Sequence, residues 1–183
     1  MVVKFVTRYG KEVHEFLARE GWAPKLRYYG PLRETGLPDD FPRPAQHAPL
    51  GLRLNVMHMV VMDHVDPQLK LPQNARPQVK KVLTRLHAQG YVIGDLRPPN
   101  ILFDANGQVK FIDFDWCGRY DRDPQAELQE QIENMDRAQV GDETYAYYPL
   151  TMSREEGMWT ADMKPLRQIR PKHDWGMFEK LLW

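Results

Sequence analysis

From Lys11 to Glu20 the apolar positions fall at Val13, Phe16 and Leu17, the spacing that turns one stripe of an α-helix toward a core, and Gly21 with Pro24 ends the run. A longer stripe, Val79, Val82, Leu83 and Leu86, follows Asn74, a residue type that caps helices, and stops at Gly90. This is the clearest helical pattern in the chain. His173 to Trp183 begins with an aspartate and places apolar residues at helical spacing, so another helix is expected there. Leu128, Ile132 and Met135 form a further stripe within Tyr120 to Glu143, a stretch holding eight acidic and two basic residues. That combination predicts a solvated surface helix near 127–138.

Strand patterns alternate with these helices. Val2 to Val6 is β-branched and aromatic around Lys4 and reads as a buried strand with one polar interruption. Lys25 to Tyr29 is a candidate second strand, and Asn55 to Val65, dense in valine and methionine, reads as a central one running out into an Asp-Pro connector. Between them, Pro31 to Pro49 holds five of the fifteen prolines and little periodicity, as expected of a loop or insertion. Ile101 to Phe103 and Val109 to Ile112 flank Asp104-Ala105-Asn106-Gly107, a strong hairpin signal. The expected class is α+β.

Composition narrows the function classes. With 183 residues the chain is the size of one domain, long enough to bury roughly 70% of its unfolded surface. Its 25 basic and 25 acidic side chains cancel, so no global field draws it to nucleic acid or to an anionic membrane. No run of 18 apolar residues occurs, and a membrane span is not expected. The single cysteine, Cys117, cannot form an internal disulfide, which suits a reducing intracellular compartment, cytoplasmic or nuclear. The histidines His58, His64 and His87 lack the spacing of a zinc site.

The chemistry concentrates around the hairpin. Asp95 and Asn100 stand five apart between a helix and the first hairpin strand, and Asp113 with Asp115 leaves the second. A hairpin keeps its two ends close, so Asn100 entering and Asp113 leaving can converge on one point with Asp95 nearby. Hard oxygen ligands of this kind suit Mg²⁺, which takes one or two protein side chains, several waters and substrate phosphates. A carboxylate not occupied by metal can accept or orient the proton of an attacking hydroxyl.

Ile93-Gly94-Asp95-Leu96-Arg97-Pro98-Pro99-Asn100 resembles the H-R-D-L-x-x-x-N catalytic loop of protein kinases, and Asp113-Phe114-Asp115 resembles their D-F-G. The thirteen-residue step from Asn100 to Asp113 is the one usual in that superfamily. The run GDLRPPNIL followed by KFIDFDWCG is similar to fungal protein-kinase-like proteins of the HGDLR and DFDWAG type. The resemblance implies a bilobal fold with a truncated small lobe and connector over 1–65 and a mainly helical large lobe over 66–183.

It further implies ATP and Mg²⁺ as cofactors, Asp95 as base, Asn100 and Asp113 as metal ligands, and Arg97 assisting the transferred phosphate. Lys4 takes the place of the lysine on the α and β phosphates. Of two glutamates that could hold Lys4, Glu12 borders the apolar stripe of its helix while Glu15 points nearly opposite, which favours Glu12. Asp63 and Val65 are expected to offer backbone groups to adenine, with Met62 as gatekeeper, and Asp174 resembles the aspartate that braces the catalytic loop. Methionines 57, 59 and 62 are otherwise core filling.

Departures from the pattern shape the functional expectation. No GxG occurs, so the glycine-rich loop over the phosphates is missing; the chain is a fragment, or its nucleotide binding is compromised. Ile93 replaces the buttressing histidine, Gly94 replaces the arginine that reads a phosphorylated loop, and no A-P-E follows. Asp115 in the glycine position costs backbone freedom, though aspartate tolerates left-handed conformations. A phosphotransferase acting on a protein Ser/Thr hydroxyl is the leading expectation. The alternatives are a pseudokinase acting as a binding scaffold and a small-molecule kinase of aminoglycoside-kinase type.

Overall fold

The computed structural model describes residues 1–31, 57–121, 145–150 and 158–183. The proline-rich stretch after Pro31 and the acidic helix expected near 127–138 lie outside the described residues. Within them, strands pair antiparallel in three small sheets and three helices pack around these, an α+β arrangement. No described helix is long and apolar enough to cross a membrane.

The first sheet contains β1 (Val2–Val6), β2 (Leu26–Pro31) and β3 (His58–Met62) in the order β1-β3-β2. The central position of β3 follows from its composition, and its Val60 and Met62 are buried. Strand β1 corrects the sequence expectation of burial. It lies at the sheet edge with Lys4 opposite Val60, and Val3 and Phe5 are each 53% exposed. Alternation explains this: Lys4 and Val6 share the inward face, while Val3 and Phe5 point to the other, which no described element covers.

Helix α1 (Lys11–Arg19) buries Val13, His14, Phe16 and Leu17. Its start is docked by the Gly10 amide, which donates to the Phe114 carbonyl at 2.8 Å. A Cβ at Gly10 would stand 2.6 Å from that of Cys117, so only glycine permits this approach. Helix α2 (Ala75–Ala88) buries Val79, Val82, Leu83 and Leu86 completely, the four positions of its sequence stripe.

Two further ladders complete the frame: β4 (Tyr91–Val92) with β7 (Gly118–Arg119), and β5 (Ile101–Phe103) with β6 (Val109–Phe111). The second is the expected hairpin. Asp104 Oδ1 accepts from the amides of Asn106 and Gln108, both at 3.0 Å, and Gly107 takes φ +73°, which closes the turn. Helix α3 (Pro171–Lys180) opens on a proline and turns His173, Asp174, Met177 and Phe178 inward. Buried residues from Val6 to Leu181 form one contiguous apolar cluster.

Candidate active site

The loop between β4 and β5 is fixed from below by a fully buried carboxylate. Asp174 accepts the Ile93 amide at 2.9 Å and the Gly94 amide at 2.8 Å, and pairs with His87 Nε2 at 2.8 Å. Gly94 has φ +79°, and a Cβ there would meet Ile169 Cδ1 at 2.6 Å and the Trp116 carbonyl at 3.1 Å. The glycine that departs from the kinase pattern is thus required by this loop's conformation and packing. The Cys117 thiol donates to the Ile93 carbonyl at 3.1 Å, and burial pushes its pKa up, so it is a packing group rather than a nucleophile.

Above this brace the loop gathers Asp95, Arg97 and Asn100. The turn Pro98–Asn100 folds Asn100 back, and its Nδ2 donates to the Asp95 carbonyl and to Asp95 Oδ2, both at 3.0 Å. Arg97 pairs with the same carboxylate, its Nη2 donating to Oδ2 at 2.7 Å and its Nε lying 2.6 Å from Oδ1. Asp95 and Asn100 are both buried.

The hairpin carries the chain to the second cluster. Ile101 pairs with Phe111, and the Ile112 amide donates to the Asn100 carbonyl at 3.0 Å, so Asn100 and Asp113 leave adjacent strand ends as sequence spacing had suggested. Asp113 adopts φ +64°, an uncommon conformation for a residue with a side chain. What holds it there is on either side. Phe114 is buried and stacks on His14 of α1, with ring centroids 4.3 Å apart. The Asp113 carboxylate meets Lys4 Nζ at 2.7 Å.

Lys4 touches a second carboxylate, Asp115 Oδ2, also at 2.7 Å. Burial works to lower the Lys4 pKa, but hydrogen bonds and charge from Asp113 and Asp115 outweigh it, and the net direction is up. Asp115 is also pushed up, first by burial and then by Asp113, against the pull of Lys4. Its Oδ1 is buried without a hydrogen-bond partner among the described residues.

The helix glutamate expected at Lys4 is engaged elsewhere. Glu12 accepts from Arg119 Nε at 2.8 Å and lies 3.4 Å from the Tyr91 hydroxyl, while Glu15 faces Lys11 at 3.7 Å. The physical reason is position on the helix. Glu12 lies at the margin of the buried stripe, where it overhangs the β4–β7 ladder and its arginine instead of the sheet. Asp63 and Val65 lie where β3 runs out: the Asp63 amide donates to the Lys25 carbonyl at 3.0 Å, and its side chain is forked to Arg27 at 2.7 and 2.9 Å.

Asp115 is the site residue that sequence reasoning passed over, treated as a strained glycine substitute; the repeated carboxylate in Asp113-Phe114-Asp115 was its signal. His14 was missed because a histidine inside a helical stripe reads as core.

The donor set fits Mg²⁺. Asn100 gives its amide nitrogen to Asp95 and so keeps its carbonyl oxygen for other partners, and Asp113 is a carboxylate beside it in the fold. Among the described residues no group of three or more His, Cys, Asp or Glu side chains could hold a metal ion unaided. An ion here would depend on phosphate and water for its remaining ligands, the habit of Mg²⁺ in nucleotide sites.

No protein-family model matches the chain. A solved structure of the bifunctional kinase-methyltransferase WbdD is similar at 17% identity and a TM-score of 0.33, over 86% of this chain and 31% of that one. A second structure of WbdD gives 14% identity and a TM-score of 0.36, over 97% of this chain and 40% of that one. The chain therefore spans less than half the length of these solved proteins.

Proposed function

We propose that this chain is the core of an ATP- and Mg²⁺-dependent phosphotransferase of kinase-like plan, with 1–65 as a small lobe and connector and 66–183 as the large lobe. The observation that carries the reading is the Lys4–Asp113 contact at 2.7 Å. It joins a strand lysine to a carboxylate 109 residues away, at the end of the hairpin whose other end bears the Asp95–Asn100 pair.

In this reading Lys4 binds the α and β phosphates, and Asn100 and Asp113 would hold Mg²⁺. When bound, the ion supplies charge neutralisation on the phosphates. Asp95, kept in orientation by Asn100, accepts the proton of the attacking hydroxyl. Arg97, now on Asp95, assists the transferred group. Asp63 and Val65 offer backbone groups to adenine. A protein Ser/Thr hydroxyl is the proposed acceptor.

A scaffold that binds a partner without turning over ATP is the second reading, and the uncovered apolar face of β1, with Val3 and Phe5 each 53% exposed, favours it. Thermal unfolding with and without Mg²⁺ and ATP separates the two. A ligand that binds only the native state stabilises by roughly 2.7 kcal/mol at a hundred times its dissociation constant. A Mg²⁺-dependent rise in the parent that disappears in Asp113→Asn is expected, and no rise at millimolar ATP would leave the scaffold reading.

A further inference from the structure

Resting on the phosphotransferase reading, we propose that Asp115 is the positioning residue for Lys4, in the role that the sequence assigned to a glutamate of α1. Lys4 has two carboxylate neighbours within 2.7 Å, and both come from one loop, two residues apart. The acidic residues of α1 that could have served are committed to other partners: Glu12 to Arg119, Glu15 to Lys11. Asp113 is also the residue proposed to hold Mg²⁺, and a carboxylate divided between lysine and metal serves both poorly. Asp115 resolves the conflict, since it keeps Lys4 in place while Asp113 turns to the ion.

The loop is built to present both groups. Asp113 at φ +64° sends its side chain to Lys4 beside that of Asp115, while Phe114 between them goes into the core against His14 and Tyr9. The Gly10 and Cys117 amides both donate to the Phe114 carbonyl, at 2.8 and 3.3 Å, which fixes the turn between the two aspartates. Side-chain exposures of 30% for Lys4 and 34% for Asp115 leave the pair partly shielded and still open to a phosphate. A lysine held in this way needs no carboxylate from α1.

The test is the reactivity of Lys4 in the nucleotide-free protein, read by competitive acetylation with acetic anhydride near pH 9 and peptide mass spectrometry, with Lys110 as internal reference. A neighbouring carboxylate keeps the amine protonated and slow to react. Asp115→Asn is expected to raise Lys4 acetylation several-fold relative to Lys110, Asp115→Glu to restore the slow rate, and Glu12→Gln to change nothing. Unchanged labelling in Asp115→Asn, or an increase in Glu12→Gln, overturns the assignment.

If Asp115→Asn fails to fold, the parent decides. Zero-length carbodiimide coupling of the parent should join Lys4 to Asp115, read as a crosslinked peptide by mass spectrometry, and coupling to Asp113 or Glu12 without Asp115 overturns the pairing. Mg²⁺–ATP affinity is measured alongside. An assignment that holds in a parent that binds no ATP refutes the phosphotransferase reading alone, whereas a parent that binds ATP equally well as Asp115→Asn refutes the proposed role.

Discussion

Asp174 shows how one side chain sets the conformation of a loop eighty residues away. Its two oxygens receive two backbone amides and a histidine in a site with no solvent access. Asp174→Ala would leave the Ile93 and Gly94 amides buried and unsatisfied, each worth about 1–3 kcal/mol. A loss of about 3 kcal/mol in urea denaturation is expected, with the Asp95–Asn100 cluster loosened in the same variant. The sequence placed Asp174 by resemblance to an aspartate that braces a loop, and the structure adds its partners, the Ile93 and Gly94 amides and His87. The repeated carboxylate of Asp113-Phe114-Asp115 marked Asp115 as a candidate but not its lysine partner, because a residue's charge partners depend on which side chains the fold brings within a few ångströms.

Among the elements, the hairpin and α2 were legible in the sequence, but the bond between them was not. Gln78 of α2 donates to the Gly107 carbonyl at 2.7 Å and accepts from Gln108 Nε2 and the Val109 amide, both at 2.9 Å. A glutamine just ahead of the apolar stripe reads as solvent-facing, yet it pins the turn that spaces Asn100 from Asp113. Gln78→Ala is expected to cost about 1–2 kcal/mol in chemical denaturation, and to speed hydrogen exchange at Val109 more than in the centre of α2. The short β4–β7 ladder was equally invisible, since two-residue strands carry no periodicity. That ladder brings Arg119 under α1, and Arg119 in turn takes Glu12 away from Lys4.

At the scale of the whole molecule, two buried histidines make stability sensitive to mild acid. Burial lowers the pKa of His14 below the ordinary 6.5, against the opposing influence of the Pro24 carbonyl and Glu15, and burial lowers that of His173 as well. The Pro24 carbonyl can only accept, so His14 Nε2 carries the proton and Nδ1 receives the Tyr9 hydroxyl; a second proton would break that bond. At these two histidines the folded protein therefore binds protons less readily than the unfolded chain. Their contribution to stability should be full above pH 6.5, fall as pH drops from there toward the lowered folded-state values, and level off below them. Thermal unfolding between pH 7.5 and 5 is expected to show this decline, with a shallower slope in His14→Gln.

The sequence by itself determined the helices that carry long apolar stripes, the hairpin with its turn, and the loop residues Asp95, Arg97 and Asn100, because these are set by neighbours within a few positions along the chain. The tertiary structure alone decided that β1 is an exposed edge, that Lys4 lies on Asp113 and Asp115, and that Glu12 serves Arg119 across 107 residues of separation. The physical reason is that local periodicity sets which face of an element is buried, whereas the pairing of distant charges follows from how whole elements pack and which partner lies nearest once they have.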